Sequence, residues 1–176
     1  MTCGRAGIAA NPATRGRYGA VVDEAAVLRY VIDSFPGVNP LSAAGDTYFL
    51  YDPDRNLPPN RQHPFTTLIT GDRHDQVSQL DRPGVYRLNI GVRKQTYRDL
   101  FGRPPTERGD GGVLDPGRDY AVLDTLLPHP VYASQHWVCV LVPGAETFET
   151  TVRPLLDEAY RLAVRKYENH AARREG

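Results

Sequence analysis

Three strand-like segments follow one another between Thr47 and Val92 with no helical periodicity between them, and amphipathic helical segments stand before and after. This grouping constrains the fold more than any other feature. It predicts an α+β domain with a small, mostly antiparallel sheet of about four strands, flanked by N-terminal and C-terminal helices. A Rossmann-type alternation of strand and helix is excluded.

The first helix is expected to open at Asp23 as N-cap, to place Ala25, Leu28, Val31, Ile32 and Phe35 along one stripe, and to end at Pro36-Gly37. The strand segments are Thr47 to Tyr51, closed by Asp52-Pro53-Asp54; Phe65 to Thr70, closed by Gly71-Asp72; and Val85 to Val92, entered through Arg82-Pro83-Gly84. In the last of these Tyr86, Leu88, Ile90 and Val92 alternate with Arg87 and Asn89, so one face is core and the other polar. A short helix follows with Tyr97, Leu100 and Phe101 on one side and Gly102 as its C-terminal cap.

The stretch from residue 102 to 118 is rich in Gly and Pro and almost free of core residues, which marks a functional or disordered loop. Asp119 is positioned to cap a brief helix over Tyr120, Leu123, Leu126 and Leu127, broken by Pro128-His129-Pro130. Residues 137 to 142 are apolar on both faces, as a central strand requires. A last helix runs from Thr147 to about Lys166, and Pro154 either kinks it or sits in its first turn. Residues 1–22 read as a disordered tail, in part an upstream start-codon extension; residues 23–166 form the domain and residues 167–176 a frayed C-terminal tail.

Lys plus Arg and Asp plus Glu both number 21, so the formal charge is zero. A dedicated nucleic-acid binder carries a basic excess, which is missing here. Of the basic residues only Lys94 and Lys166 are lysine, a skew that reflects a GC-rich coding genome more than a wealth of anion sites. The two cysteines form no disulfide framework, and Cys139 reads as a small buried hydrophobe. Apolar runs fall far short of the ~20 residues that span a bilayer, and the start lacks an apolar signal-peptide core. The expectation is a cytoplasmic protein.

No phosphate-binding loop, dinucleotide fingerprint, zinc-protease helix, nucleophile elbow or Cys-x-x-Cys motif occurs. The candidate chemistry lies instead in scattered residues. Asp72, His74 and Asp75 are the candidate catalytic residues, because a histidine beside carboxylates can act as a general base. The bland reading of the same loop is that its Asp and Ser side chains fix turns. Arg87 and Asn89 can hold a carboxylate, phosphate or amide, with Ser78 and Arg82 nearby in sequence; the bland reading of the same pair is a solvated sheet face or an ion pair to a helix. His129, Trp137 and Tyr132 can line a pocket. His63 and His129 precede prolines, and with His136 and Asp46 or Asp72 they include metal-ligating types. No pair has a ligand spacing, so no metal and no cofactor is assigned.

Four phrases carry a resemblance: G-D-T-Y-F-L-Y-D-P-D (45–54), P-F-T-T-L-I-T (64–70), L-D-R-P-G-V-Y-R-L-N-I-G-V (80–92) and L-P-H-P-V-Y-A-S-Q-H-W-V-C-V-L (127–141). With T-F-E-T-T-V-R-P-L-L-D-E-A-Y (147–160) they resemble the bacterial family known as domain of unknown function 6194, over roughly residues 23 to 166. That resemblance implies no activity and transfers no catalytic residue. More distantly the strand meander resembles the MmcQ/YjbR-like group, which implies a compact α+β fold and a proposed role in DNA binding.

Three functions follow as expectations. The first is a small molecule bound, and in one version turned over, at the polar sheet face, with the 102–118 segment as a lid and Arg87→Ala abolishing binding while the fold survives. The second is a nucleic-acid module using Arg5, Arg15, Arg17, Arg165, Arg173 and Arg174, with affinity that falls steeply with salt. The third is a partner-binding domain without a ligand, which requires a large exposed apolar patch.

Overall fold

A computed structural model describes residues 20–115 and 117–172. The chain runs α1 (Glu24–Ser34), β1 (Val38–Ala43), β2 (Asp46–Tyr51), β3 (Thr66–Ile69), β4 (Arg87–Gly91), α2 (Lys94–Phe101), β5 (Leu127–Pro128), β6 (Trp137–Leu141), α3 (Ala145–Thr147) and α4 (Arg153–Ala172). It is an α+β fold with one antiparallel sheet in the order β1-β2-β3-β4-β6-β5.

The sheet therefore has six strands, not about four. β1 escapes a sequence reading because Pro40 interrupts it, yet it lies at the sheet edge, where a residue without an N–H is tolerated. Ala43 pairs with Asp46 across Ala44 and Gly45, both at positive φ, the geometry of a two-residue hairpin loop. β5 has only two residues, too few for any periodicity. It occupies the ground where a brief helix was expected. Asp119 instead accepts from the Ala121 N–H at 2.9 Å, closing a turn rather than capping a helix.

One face of the sheet packs on the helices. Asp23 caps α1 by accepting from the Ala26 N–H at 2.7 Å. The buried centre of α1 is Val27 and Val31, so the stripe is rotated from the one expected, and Ala25 and Ile32 are exposed. These side chains meet Phe49, Leu68, Tyr86, Leu88, Ile90, Val138 and Val140 from the sheet and Phe148, Val152, Leu155, Leu156 and Ala159 from the C-terminal helix. On α2, Tyr97 is buried and Leu100 is exposed, against expectation.

The C-terminal helix is continuous from α3 through a π-helical turn, Phe148–Val152, into α4. Pro154 cannot donate to the carbonyl four residues back and its ring crowds that carbonyl, so a widened turn just before it lets the helix continue. α4 passes the end expected near Lys166 and runs to Ala172, with the Tyr167 hydroxyl donating to Asp54 at 2.8 Å. At the other end the fold begins before Asp23. Val21 bridges Gly144 and the Val22 N–H donates to the Pro143 carbonyl at 2.9 Å. The rest of the expected tail, residues 1–19, lies outside the described residues.

The second face of the sheet is covered too, by irregular chain instead of helix. Leu80 packs on Ile69 and Leu141, and Val113, Tyr120 and Leu127 pack on Cys139. The Gly/Pro-rich segment is thus a structural cover. Arg108 bridges Leu114, the Leu114 N–H donates to the Pro130 carbonyl at 2.7 Å, and Val113 and Leu114 are buried. Among the described residues no helix is long and apolar enough to cross a membrane.

Candidate functional site

Strand alternation places Arg87, Asn89 and Gly91 on the second face of β4. The register lines up Tyr48, Thr67, Asn89, Cys139 and Leu127 in one row across five strands, and pairs Gly91 with Trp137. A Cβ on Gly91 would stand 3.3 Å from the Trp137 indole, so glycine gives the ring room to lie across β4. On this face a cavity of about 420 Å³ remains open, a volume in the range of small-molecule sites. Its floor holds Thr67, Arg87 and Asn89, and its walls include Tyr48, His74, His129, Tyr132 and Trp137.

Arg87 is 1% exposed. Asp75 receives it in a two-point pair, Nη1 to Oδ1 at 3.1 Å and Nη2 to Oδ2 at 2.7 Å, and Nη1 also donates to Ser78 Oγ at 2.7 Å. The charge is thereby neutralised inside the protein. Two atoms of the floor stay without a partner: Arg87 Nε and Asn89 Oδ1. Asn89 is 2% exposed, and its amide nitrogen donates to Thr67 Oγ1 at 3.0 Å. A buried polar atom left unpaired costs about 1–3 kcal/mol, so such atoms are few in native proteins.

His129 is 3% exposed and its Nδ1 accepts from the Val131 and Tyr132 N–H groups, both at 3.1 Å. Those two bonds fix the tautomer, leaving the proton of the neutral ring on Nε2. Burial above all, then the positive charge of Arg87 and the neighbouring His74, holds its pKa well below the ordinary histidine value. His129 is therefore a neutral, oriented imidazole at neutral pH.

The rim of the cavity carries the other charged cluster. Asp46 is buried and accepts from the Thr70 N–H at 2.8 Å, from Arg73 at 3.2 Å and from His74 Nε2 at 3.0 Å. The Tyr48 hydroxyl lies 3.2 Å from the same His74 nitrogen. Burial first, and next the Asp46 charge, raises the Tyr48 pKa, so its hydroxyl stays protonated. A half-exposed imidazole backed by a buried carboxylate has the arrangement of an oriented base. The Cys139 thiol, pushed up to about 12 by burial, donates weakly to the Pro128 carbonyl and is no nucleophile.

Of the nine residues assigned catalytic or ligand-binding roles from the sequence, six meet at one cavity: His74, Asp75, Arg87, Asn89, His129 and Trp137, with Tyr132 beside them as expected. Three do not line it. Asp72 accepts from the Leu80 N–H at 2.7 Å and donates its own N–H to Asp81 Oδ1 at 3.2 Å, which is the turn-fixing reading of that loop. Ser78 is buried behind Arg87 and holds it in place. Arg82 ties the carbonyls of Gln79, Ser78 and Ala121 together. Among the described residues none of 102–118 lines the cavity, and the part expected as a lid packs instead around Val113 and Leu114.

Sequence reasoning missed Thr67, Gln135 and the rim role of Tyr48. Thr67 had a usable signal, since it is the strand neighbour that alternation would place opposite Asn89. His63 joins His74 and His129 in the lining, yet no group of three His, Cys, Asp or Glu is placed to hold a metal among the described residues. Of the arginines expected to meet phosphates, Arg5, Arg15, Arg17, Arg173 and Arg174 lie outside the described residues. Among the described residues the exposed large hydrophobics, Ile32, Leu41, Leu100 and Tyr132, are spread over four parts of the fold.

No curated protein and no solved structure matches the chain at a significant level. A family model does match, over residues 22–172, a span that takes in the whole sheet, the flanking helices and every residue of the cavity: the chain belongs to the family of unknown function DUF6194.

Proposed function

We propose that this protein binds a small organic molecule in the cavity on the second face of its sheet. The observation that carries the reading is Asn89: a fully buried amide in the floor of an open cavity, with Oδ1 unpaired. Natural cores pair most such atoms, and a donor group of a bound ligand would repay the cost of this one. The aromatic walls from Tyr132 and Trp137 supply apolar area, and the neutral His129 supplies an oriented donor. The His74–Asp46 pair at the rim gives the same cavity a base, so turnover of the bound molecule is the natural extension of binding. A free, buried Cys139 fits the reducing cytoplasm as its setting.

Trp137 is the single tryptophan of the chain, so its fluorescence reports on this cavity alone. A fragment library screened by that signal is expected to yield saturable ligands. Val131→Phe, which fills the cavity from a half-buried wall position, is expected to abolish the response while leaving the unfolding midpoint in place. Ligands that bind wild type and Val131→Phe alike would place binding elsewhere and end this reading.

A further inference from the structure

The geometry points to the class of molecule: an uncharged, planar compound whose polar edge carries an N–H donor beside a carbonyl acceptor, as in an amide, lactam or ureide, taken in preference to the matching carboxylate. This rests on the cavity being the binding site.

Arginine in a pocket is usually read as an anion clamp, through two parallel bonds from its terminal nitrogens. Here that fork is occupied. Asp75 takes both terminal nitrogens and Ser78 takes Nη1 again. Asp75 also lines the cavity, so a carboxylate or phosphate ligand would bring a second negative charge beside the first without a free fork to meet it. What the floor still lacks is neutral pairing. Asn89 Oδ1 needs a donor, and Arg87 Nε needs an acceptor. Both residues lie on the same face of β4, two positions apart, and both line the cavity. His129 Nε2 adds a donor whose direction is fixed by the two bonds at Nδ1.

A bare acceptor set such as a carboxylate leaves Asn89 Oδ1 unpaired and meets it with like partial charge. An amide edge answers the donors and the acceptor together. The walls favour a flat body, since Tyr132, Trp137 and Tyr48 contribute rings and Ile69, Val131 and Pro64 contribute apolar contact.

Benzamide and benzoate test this directly, since they match in size and shape and differ in replacing an amide NH2 by a charged oxygen. Both are titrated into the full-length protein at neutral pH and moderate salt, to about 20 mM, the range reached by fragments of this size. Binding is followed by Trp137 fluorescence and by the Asn89 side-chain amide resonances. The expected result is benzamide binding about tenfold or more tighter than benzoate, with the preference collapsing to within about twofold in Asn89→Leu. The wild-type pair alone decides the matter if Asn89→Leu does not fold. Benzoate binding as tightly as benzamide, or more tightly, at these resonances overturns the ligand class and leaves the site standing. Neither probe binding while other fragments occupy the cavity does the same. No fragment of any kind in the cavity overturns both the class and the site.

Discussion

Arg87 shows how much a side chain's meaning depends on its partners. As a residue on a polar strand face it reads as a ligand clamp whose removal spares the fold. Buried at 1% exposure against Asp75, it is instead half of an internal ion pair. Removing one partner leaves the other charge buried and alone, at a cost of about 3–5 kcal/mol. Arg87→Met is therefore expected to lower the urea midpoint by that equivalent, and Arg87→Met with Asp75→Leu to recover most of it. A loss under about 1 kcal/mol in the single variant would show the pair to be solvated. Strand alternation made Arg87 and Asn89 legible as a shared face. It could not reveal Asp75 as the partner, because Asp75 arrives through an irregular loop with no periodicity to phase it.

His129 makes a residue-scale prediction with a definite sign. Its folded pKa lies below its unfolded value, so below about pH 6.5 the unfolded chain binds a proton that the folded chain refuses. Stability from this group is complete above that pH and declines as pH falls through the window beneath it. His129→Asn keeps an acceptor near the Val131 and Tyr132 N–H groups and removes the titration. It is expected to flatten the slope of unfolding free energy between about pH 6.5 and 5 by up to about 1.4 kcal/mol per pH unit. An unchanged slope would mean that the ring is protonated in the fold.

At the scale of elements, the strong patterns were legible and the short or interrupted ones were not. α1 and its Asp23 cap, the three central strands, β6 and the Gly102 cap of α2 follow from periodicity and terminal residues. β1 was hidden by Pro40, β5 by its brevity, and the helical spacing of Tyr120, Leu123 and Leu126 deceived because that segment is tied to the sheet instead, with the Asp124 N–H donating to the Leu141 carbonyl at 2.8 Å. Pro154 was legible as an interruption, while the π-helical turn that absorbs it was not. The turn from α1 into β1 rests on Gly37, at φ +75°, where a Cβ would stand 2.9 Å from the Tyr51 ring. Gly37→Ala is expected to cost at least about 1–2 kcal/mol by denaturant unfolding, since left-handed backbone and crowding act together. A neutral result would mean that the turn readily adopts another conformation.

In the whole molecule the six-stranded sheet divides two kinds of work. One face is sealed by helices and forms the larger core. The other is covered by loops that leave a polar cavity, an arrangement in which a rigid scaffold holds function-bearing loops in place. The α+β class was legible because strands cluster between helices. The cavity was not, because its walls depend on how the 71–82 and 129–136 segments pack across the sheet, which follows from tertiary contacts alone. The balance of 21 basic and 21 acidic residues suits a neutral ligand better than a polyanion.

The most direct test of the central claim is a two-dimensional amide spectrum of the uniformly labelled protein, recorded with and without a saturating fragment from the fluorescence screen. The account predicts that shifts concentrate on Thr67, Asn89, Val131, Tyr132 and the Trp137 indole N–H, all of them cavity residues. Shifts confined to the helical face or the C-terminal groove around Tyr51 and Tyr167, with these five unmoved, would contradict it.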